Sequence, residues 1–379
     1  MRFIHTADWH LGCQLHHKQL IDDQEYVLEQ FVALAKERKP DAIVLAGDIY
    51  DRAVPSTDAV GLLDETLYRL AGELGIPTIL IAGNHDGPER LNFGSRLLAG
   101  QQLHVFATFS VIPPHLEFHD QYGHIWFYPL AYADPPVVRQ HFPSATNHDA
   151  AARAHLQQVR NVRPEGVRSV LITHSFVAGG IICDSERIIA VGGAGLVGAD
   201  CFDGFDYVAL GHLHRPQSIM ENQVEYPGSL LKYSFSESDH SKSVSVVEMN
   251  AEGQCHVERV RLSTNHNVRI IKGRLEELLR RPDGHMDRDD YVQAILLDEG
   301  ALLDPMEKLR QVYPNVLAME KPSLSVGNLQ NLGTNHRTRS EDSLFEDFFC
   351  QVTGRNLNDE EKSEMADVFA AFRRQEREA

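Results

Sequence analysis

The sequence predicts an α/β fold: two sheets packed face to face with helices outside, followed by a small α+β module and C-terminal helices. Three observations lead there. Over residues 1–90, short apolar runs alternate with stretches of helical spacing, the pattern of right-handed strand–helix–strand crossovers in a parallel sheet. Further strand-like runs follow from Leu103, and their connections shorten after Tyr207, which predicts an antiparallel or mixed second sheet. Beyond residue 265 the pattern becomes a compact β-α-β-α-β succession and then amphipathic helices.

The elements can be taken in order. Arg2–Ala7, Ala42–Ala46 and Thr78–Ala82 read as buried strands. Gln24–Glu37 and Thr57–Leu74 read as the helices between them, with Leu63, Leu67, Leu70 and Leu74 on one face of the second. Later strands are expected at Leu103–Ala107, Ile125–Tyr128, Ser169–Thr173, Tyr207–Leu210, Ser243–Val247 and His256–Leu262. In the small module, Val268–Lys272, Tyr291–Leu297 and Val316–Glu320 are strand-like, and Leu275–Arg281 and Pro305–Val312 helical. Ser323–Ser340 is polar, carries Gly and Asn, and reads as a linker. Leu344, Phe345, Phe348, Phe349 and Val352 line one helical face, stopped by Gly354. Asn358 with Glu361 three residues on predicts a capping box opening the last helix. The expected boundaries are therefore 1–265, 266–322, 323–340 and 341–379.

Bulk properties narrow the class. A chain of 379 residues is too long for one ordinary core. With 42% hydrophobic and 24% charged residues and no apolar run long enough to span a bilayer, it reads as globular and cytoplasmic. The five cysteines are scattered and form no CxxC pair, which fits reduced thiols rather than a disulfide framework. The net charge of −18 argues against a self-sufficient nucleic-acid binder. Bound cations and a basic partner are the ways such a balance is reconciled with a polyanionic substrate.

Five short motifs carry the chemistry: Asp8-Trp9-His10, Gly47-Asp48-Ile49-Tyr50-Asp51-Arg52, Gly83-Asn84-His85-Asp86, Thr173-His174 and Gly211-His212-Leu213-His214. Each closes a predicted strand. Sites in α/β sheets form beyond the carboxyl ends of strands, so these loops are expected to converge. Any one of them also fits an ordinary turn; all five in this order point to a site. Carboxylates, a carboxamide and imidazoles together suit Mn²⁺, Fe²⁺ or Zn²⁺ better than Mg²⁺ or Ca²⁺. Two ions ~3.5–4 Å apart call for a bridging anion, and Asp48 is the candidate. Ions so placed lower the pKa of a water and neutralise charge on phosphate. His85, beside a donor but free to be none itself, suits proton delivery to the leaving oxygen.

The order DxH, GDxxD, GNHD, H, GHxH resembles the calcineurin-like metallophosphoesterases. Three longer stretches, Ile4–Gly12, Phe205–Gln217 and Tyr226–Ser229, resemble the SbcD-type nuclease subunits of double-strand-break repair complexes. The resemblance covers the whole chain. It implies two metals, one on Asp8, His10, Asp48 and His214, the other on Asp48, Asn84, His174 and His212. It implies His85 as proton donor or transition-state stabiliser, with Asp51 orienting it. Asp51-Arg52 departs toward the phosphatase version of the loop, where Arg52 touches phosphate or forms a surface ion pair. The resemblance further implies two Mn²⁺ or similar ions per chain, a DNA-binding capping domain, a homodimer, and C-terminal helices docking on an SbcC ATPase. The implied activity is exonuclease action on duplex ends and endonuclease action on single strands and hairpins. Residues 341–379 carry five basic and eleven acidic side chains, a net of −6, which suits a protein partner rather than phosphate. The competing readings are a phosphatase or cyclic-nucleotide phosphodiesterase on the same metal site, and a metal-free adaptor, which a complete donor set disfavours.

Overall fold

The structure is a computed structural model describing residues 1–378, apart from 187–194, 281–287, 301, 323–344, 347, 348 and 351–354. It divides into two compact units, Met1–Val268 and Arg269–Ala379.

The first unit is an α/β sandwich of two six-stranded sheets. Its elements are β1 (Arg2–Thr6), α1 (Ile21–Arg38), β2 (Ala42–Ala46), α2 (Thr57–Leu67), β3 (Thr78–Ile81), β4 (Leu103–Phe106), β5 (Leu116–Asp120), β6 (Gly123–Leu130), α3 (His148–Val162), β7 (Arg168–His174), β8 (Tyr207–Gly211), β9 (Gln217–Met220), β10 (Val224–Tyr226), β11 (Ser243–Met249) and β12 (Cys255–Arg261). One sheet runs β12-β11-β1-β2-β3-β4 and the other β9-β10-β8-β7-β6-β5. β1 through β4 are parallel, as the crossover pattern requires, and so are β6, β7, β8 and β10. The inner faces meet through Phe3, Val44, Ile79, Ile125, Phe127, Val170 and Tyr207, all fully buried. On the outer face of the second sheet, Leu156 and Val159 of α3 pack with Leu171, Val208 and Phe205.

One expectation is corrected. Chain order places the strands after Tyr207 in the second sheet, but β11 and β12 join the first. β11 pairs antiparallel with β1, Ser245 opposite His5, and β12 pairs with β11. The physical reason is the open edge of β1: its pairing with β2 uses one side only, and the apolar inner face of β11 (Val247, Met249) continues the core beneath it. The helix expected over Thr57–Leu74 is α2 followed by a wider π turn over Tyr68–Glu73.

The second unit contains β13 (Val268–Gly273, from its second residue on), α4 (Leu275–Leu279), β14 (Tyr291–Leu296), α5 (Pro305–Val312) and β15 (Val316–Glu320), in the sheet order β13-β14-β15. Leu275, Val292, Leu296, Leu309 and Val316 form its own core. The last helix, α6, spans Asp359–Glu378. Its capping box is formed: Glu361 N–H donates to Asn358 Oδ1 at 2.8 Å and Asn358 N–H to Glu361 Oε2 at 2.9 Å. Phe345 meets Phe369 edge to face at 5.8 Å. The expected linker 323–340 and, in the helix before α6, Leu344, Phe348, Val352 and Gly354 lie outside the described residues.

Candidate metal centre

The loops that follow β1, β2, β3, β7 and β8 meet at one end of the sandwich. Main-chain bonds tie them together before any side chain is considered. Asp8 N–H donates to Gly47 O, His10 N–H to Asp48 O and Leu11 N–H to Ile49 O, so the first two loops continue the β1–β2 pairing. Trp9 is buried, packs edge to face on Phe31 of α1, and donates from Nε1 to Thr6 Oγ1 at 2.9 Å. This pins the turn that sends Asp8 and His10 inward.

The backbone here is strained. Asp8 (φ 54°), His10 (φ 44°), Asp48 (φ 49°) and His212 (φ 109°) all hold positive φ, which costs a non-glycine residue on the order of 1–3 kcal/mol each. Two glycines serve close approach. A Cβ on Gly83 would lie 2.2 Å from Asp48 Oδ1, and one on Gly211 would lie 1.9 Å from Ala46 O.

All seven expected donors come together and six are buried, with Asn84 partly so. On one side His10 Nε2 lies 3.1 Å from His214 Nε2. On the other, Asn84 Oδ1 lies 3.0 Å from His174 Nε2 and 3.2 Å from His212 Nδ1. Asp48 Oδ2 stands between, 3.6 Å from His10 Nε2 and 3.4 Å from His174 Nε2. Asp8 groups with His10 and Asp48, and its carboxylate accepts the His212 N–H at 2.9 Å.

These separations fit divalent ions. Donors sharing one ion at ~2.1 Å stand about 3.0–3.4 Å apart, close to the 3.0–3.6 Å separations found here. His174 is set for ligation at Nε2, because its Nδ1–H donates to Ala46 O at 2.9 Å.

The charges point the same way. Burial raises the Asp8 carboxyl to about 7 against the pull of His174 and His214. Burial also works on Asp48, yet His174, His10 and His85 hold it well below the carboxylate range. Burial drives His10 and His212 well below the imidazole range, leaving them neutral with lone pairs available. Burial opposes a charge on His174, but Asp48 and Asp8 lift it to about 9: a cation is favoured at that nitrogen.

His85 sits at the rim, its ring edge-on to His10 at 4.7 Å. Its Nδ1–H donates at 2.8 Å to the backbone carbonyl of Asp51, so the expected Asp51–His85 contact runs through the main chain. The Asp51 carboxylate instead faces His10 Nδ1 at 3.9 Å and Arg52 Nε at 3.3 Å. Arg52 is exposed and pairs with that neighbour.

Several site residues went unread in the sequence. Asp86 accepts the N–H groups of Gly83, Tyr50 and Ile49 at 2.8–3.1 Å, fastening the second loop to the third. Its place in Gly83–Asp86 was a signal, since an Asp following a strand end commonly caps backbone donors. Gln24 of α1 holds the Trp9 and His10 carbonyls and the Gly12 N–H. Behind His214 lies the carboxylate of Glu237 with the Lys242 ammonium. No sequence signal marked these two, because buried charges read as solvent-facing ones.

Residues 1–216 match the calcineurin-like phosphoesterase family. Residues 265–353 match SbcD_C, described as the type 5 capsule protein repressor C-terminal domain. Among solved structures, the chain is similar to TT1561 of Thermus thermophilus, at 16% identity over 69% of this chain and 99% of that one, TM-score 0.39. It is also similar to a dimetal phosphatase from Danio rerio, at 13% identity over 70% and 98%, TM-score 0.41. A third is Yfce, a phosphoesterase from E. coli, at 12% identity over 69% and 100%, TM-score 0.27. Because the first match spans more than half of the chain and takes in all seven clustered residues, the chain belongs to the calcineurin-like phosphoesterase family, metal-dependent hydrolases of phosphoester bonds.

Proposed function

We propose that this chain is a two-metal DNA nuclease that acts with an SbcC-type ATPase in the processing of DNA ends. The observation that carries the two-metal part is Asp48 Oδ2, one oxygen within 3.6 Å of an imidazole nitrogen in each donor group. The nuclease part is supported by the second match, over residues 265–353, which follows the phosphoesterase unit with a module of its own core.

In this reading Asp8, His10, Asp48 and His214 would hold one ion, and Asp48, Asn84, His174 and His212 the other, both Mn²⁺ or a similar divalent metal. When bound, the ions supply Lewis acidity, activating water and neutralising phosphate charge. The chain's own groups do the rest. Asp48, within reach of both donor groups, would be the ligand that they share. His174, tethered to Ala46 O, presents Nε2 without rotating. His85, with Nδ1–H committed to Asp51 O, keeps Nε2 as the nitrogen that holds a proton for the departing sugar oxygen. Arg52, exposed and paired with Asp51, would meet a phosphate of the substrate in this reading.

The proposed organisation is a nuclease domain over 1–265, a DNA-binding capping domain over 266–322, a linker over 323–340, and helices over 341–379 that dock on the ATPase. The chain acts in the cytoplasm as a homodimer in a heterotetramer. The dimer is supported by an apolar groove along α2, with Val60, Tyr68, Phe93 and Leu97 exposed in or beside it. No described helix is long and apolar enough to cross a membrane.

The test is cleavage of blunt duplex and hairpin DNA by the chain, with and without an SbcC-type ATPase and ATP, beside a simple phosphate monoester. DNA cleavage that needs divalent metal is expected. Rapid monoester hydrolysis with no DNA cut under any condition would make the chain a phosphatase instead.

A further inference from the structure

We infer that Glu237, neutralised by Lys242, positions His214 as a metal-binding residue and makes the two metal positions unequal in affinity. The inference rests on the proposed metal centre. Glu237 and Lys242 lie outside the stretch matched by the phosphoesterase family, which ends at residue 216.

The geometry behind His214 is fully specified. Glu237 is 0% exposed. Its Oε1 accepts from Ser185 Oγ at 2.5 Å and from Tyr233 N–H at 3.1 Å, and lies 3.3 Å from His214 Nδ1. Its Oε2 accepts from Lys242 Nζ. Lys242 donates in addition to His214 O and to Ser229 Oγ, each at 2.8 Å, so all three ammonium protons are used.

The proton on His214 follows from this. Ser185 spends its only O–H on Glu237, and therefore offers lone pairs to His214 Nδ1, 3.0 Å away. Glu237 is a carboxylate and accepts only. Both neighbours of Nδ1 are acceptors, so Nδ1 carries the hydrogen. Nε2 is left with its lone pair, aimed into the space shared with His10 Nε2. Lys242 adds a second restraint by holding the backbone carbonyl of the same histidine.

Stability alone does not explain the arrangement. Burying a carboxylate and an ammonium is costly for each ion, and an apolar pair of similar volume commonly serves a core as well or better. The pair sits behind one metal-facing imidazole. The corresponding partner of His174 is a neutral carbonyl, Ala46 O. A carboxylate on the far nitrogen raises imidazole basicity more than a carbonyl does. The position served by His10 and His214 is thus the tighter of the two, and Lys242 prevents the extra carboxylate from adding net negative charge.

The experiment titrates Mn²⁺ into the metal-stripped full chain by calorimetry and electron paramagnetic resonance, with ¹⁵N-histidine NMR of the metal-free protein. The wild type should bind two ions in separate steps. Glu237→Gln should weaken the tight step by about 10–100-fold and leave the weak step unchanged, and Ser185→Ala should do the same to a smaller degree. Equal weakening of both steps, or none, in a folded Glu237→Gln chain overturns the inference. If that variant does not fold, the wild-type NMR decides: His214 with its proton on Nδ1 supports the inference, and a proton on Nε2 overturns it. His214→Ala separates the two levels. Loss of the tight step there, beside an unaffected Glu237→Gln, sinks only the positioning role. Two intact steps in His214→Ala sink the metal-centre reading and this inference with it.

Discussion

His85 and Asp51 are joined through the main chain: the imidazole Nδ1–H donates to the Asp51 carbonyl at 2.8 Å, while the Asp51 carboxylate turns toward His10 and Arg52. A carbonyl survives any side-chain replacement. Asp51→Ala should therefore keep His85 oriented and cost less than ~10-fold in turnover. His85→Gln should lose ~10²–10⁴ in rate while keeping both metals and its DNA affinity. Elemental analysis, DNA binding and turnover on one duplex decide it. A missing ion in His85→Gln would make His85 a ligand, and a comparable loss in Asp51→Ala would return the role to the carboxylate.

Metal content gives the second prediction. With four imidazoles among seven donors, the purified chain should hold two ions of the Mn²⁺ class. Chelation should abolish hydrolysis, and Mn²⁺ should restore it better than Mg²⁺. Asn84→Ala should weaken only the position shared with His174 and His212, and excess Mn²⁺ should recover part of the activity. Full recovery with Mg²⁺ alone would contradict the donor argument.

Asp86 carries no expected catalytic role, yet its loss should be costly. Asp86→Ala leaves the buried N–H groups of Gly83, Tyr50 and Ile49 without their acceptor. At ~1–3 kcal/mol for each unsatisfied group, partly relieved by water, a net loss of about 3 kcal/mol is expected. That corresponds to a fall in Tm of roughly 6–12 °C. A variant melting with the wild type would show that the loops are held by other means.

Acid sensitivity away from the metal centre gives a fourth. Burial lowers His155 to about 4, and its ring donates to Ser110 O. The native state holds this imidazole neutral, while the unfolded chain protonates it near 6.5. The unfolded state binds the extra proton, so stability is complete above about pH 6.5 and falls as pH drops toward about 4. Relative to His155→Gln, the wild type should lose about 1.4 kcal/mol per pH unit across that window, about 3 kcal/mol in total. Urea unfolding of metal-free protein at several pH values measures the difference. A pH-independent difference would mean that the ring is solvated in the native state.

Deletion of residues 341–379 should abolish co-purification with an SbcC-type ATPase and leave Mn²⁺ binding unchanged. The segment is acidic, and its described part includes a capped amphipathic helix. A truncated chain that still co-purifies places the docking surface elsewhere.

The strands that lead into the cluster, and the convergence of their end loops, were legible in the sequence for one reason: runs of carboxylates and imidazoles directly after apolar strand-like runs are rare, and five of them follow one another here. Sheet membership was less legible. β11 and β12 follow the second sheet in the chain, and nothing local records that β1 has an open side. α3 was missed because its buried face mixes Ala151 and His155 with Leu156 and Val159, a weak apolar stripe. β5 was missed because alternate residues are exposed along an edge strand. Glu237 and Lys242 were invisible because a charge pattern does not say which charges are buried.

The placement of β1 bears on how the chain is made. Phe3 pairs with Ala42 on one side and with Val247 on the other. A ribosome adding ~5–20 residues per second exposes the second partner roughly 10–40 s after the first. During that interval β1 keeps one unpaired edge on the nascent chain, and for most of it the turn bearing Asp8 and His10 lacks its neighbours His212 and His214. The cluster around Asp8 and His10 is therefore complete only after His214 has been made.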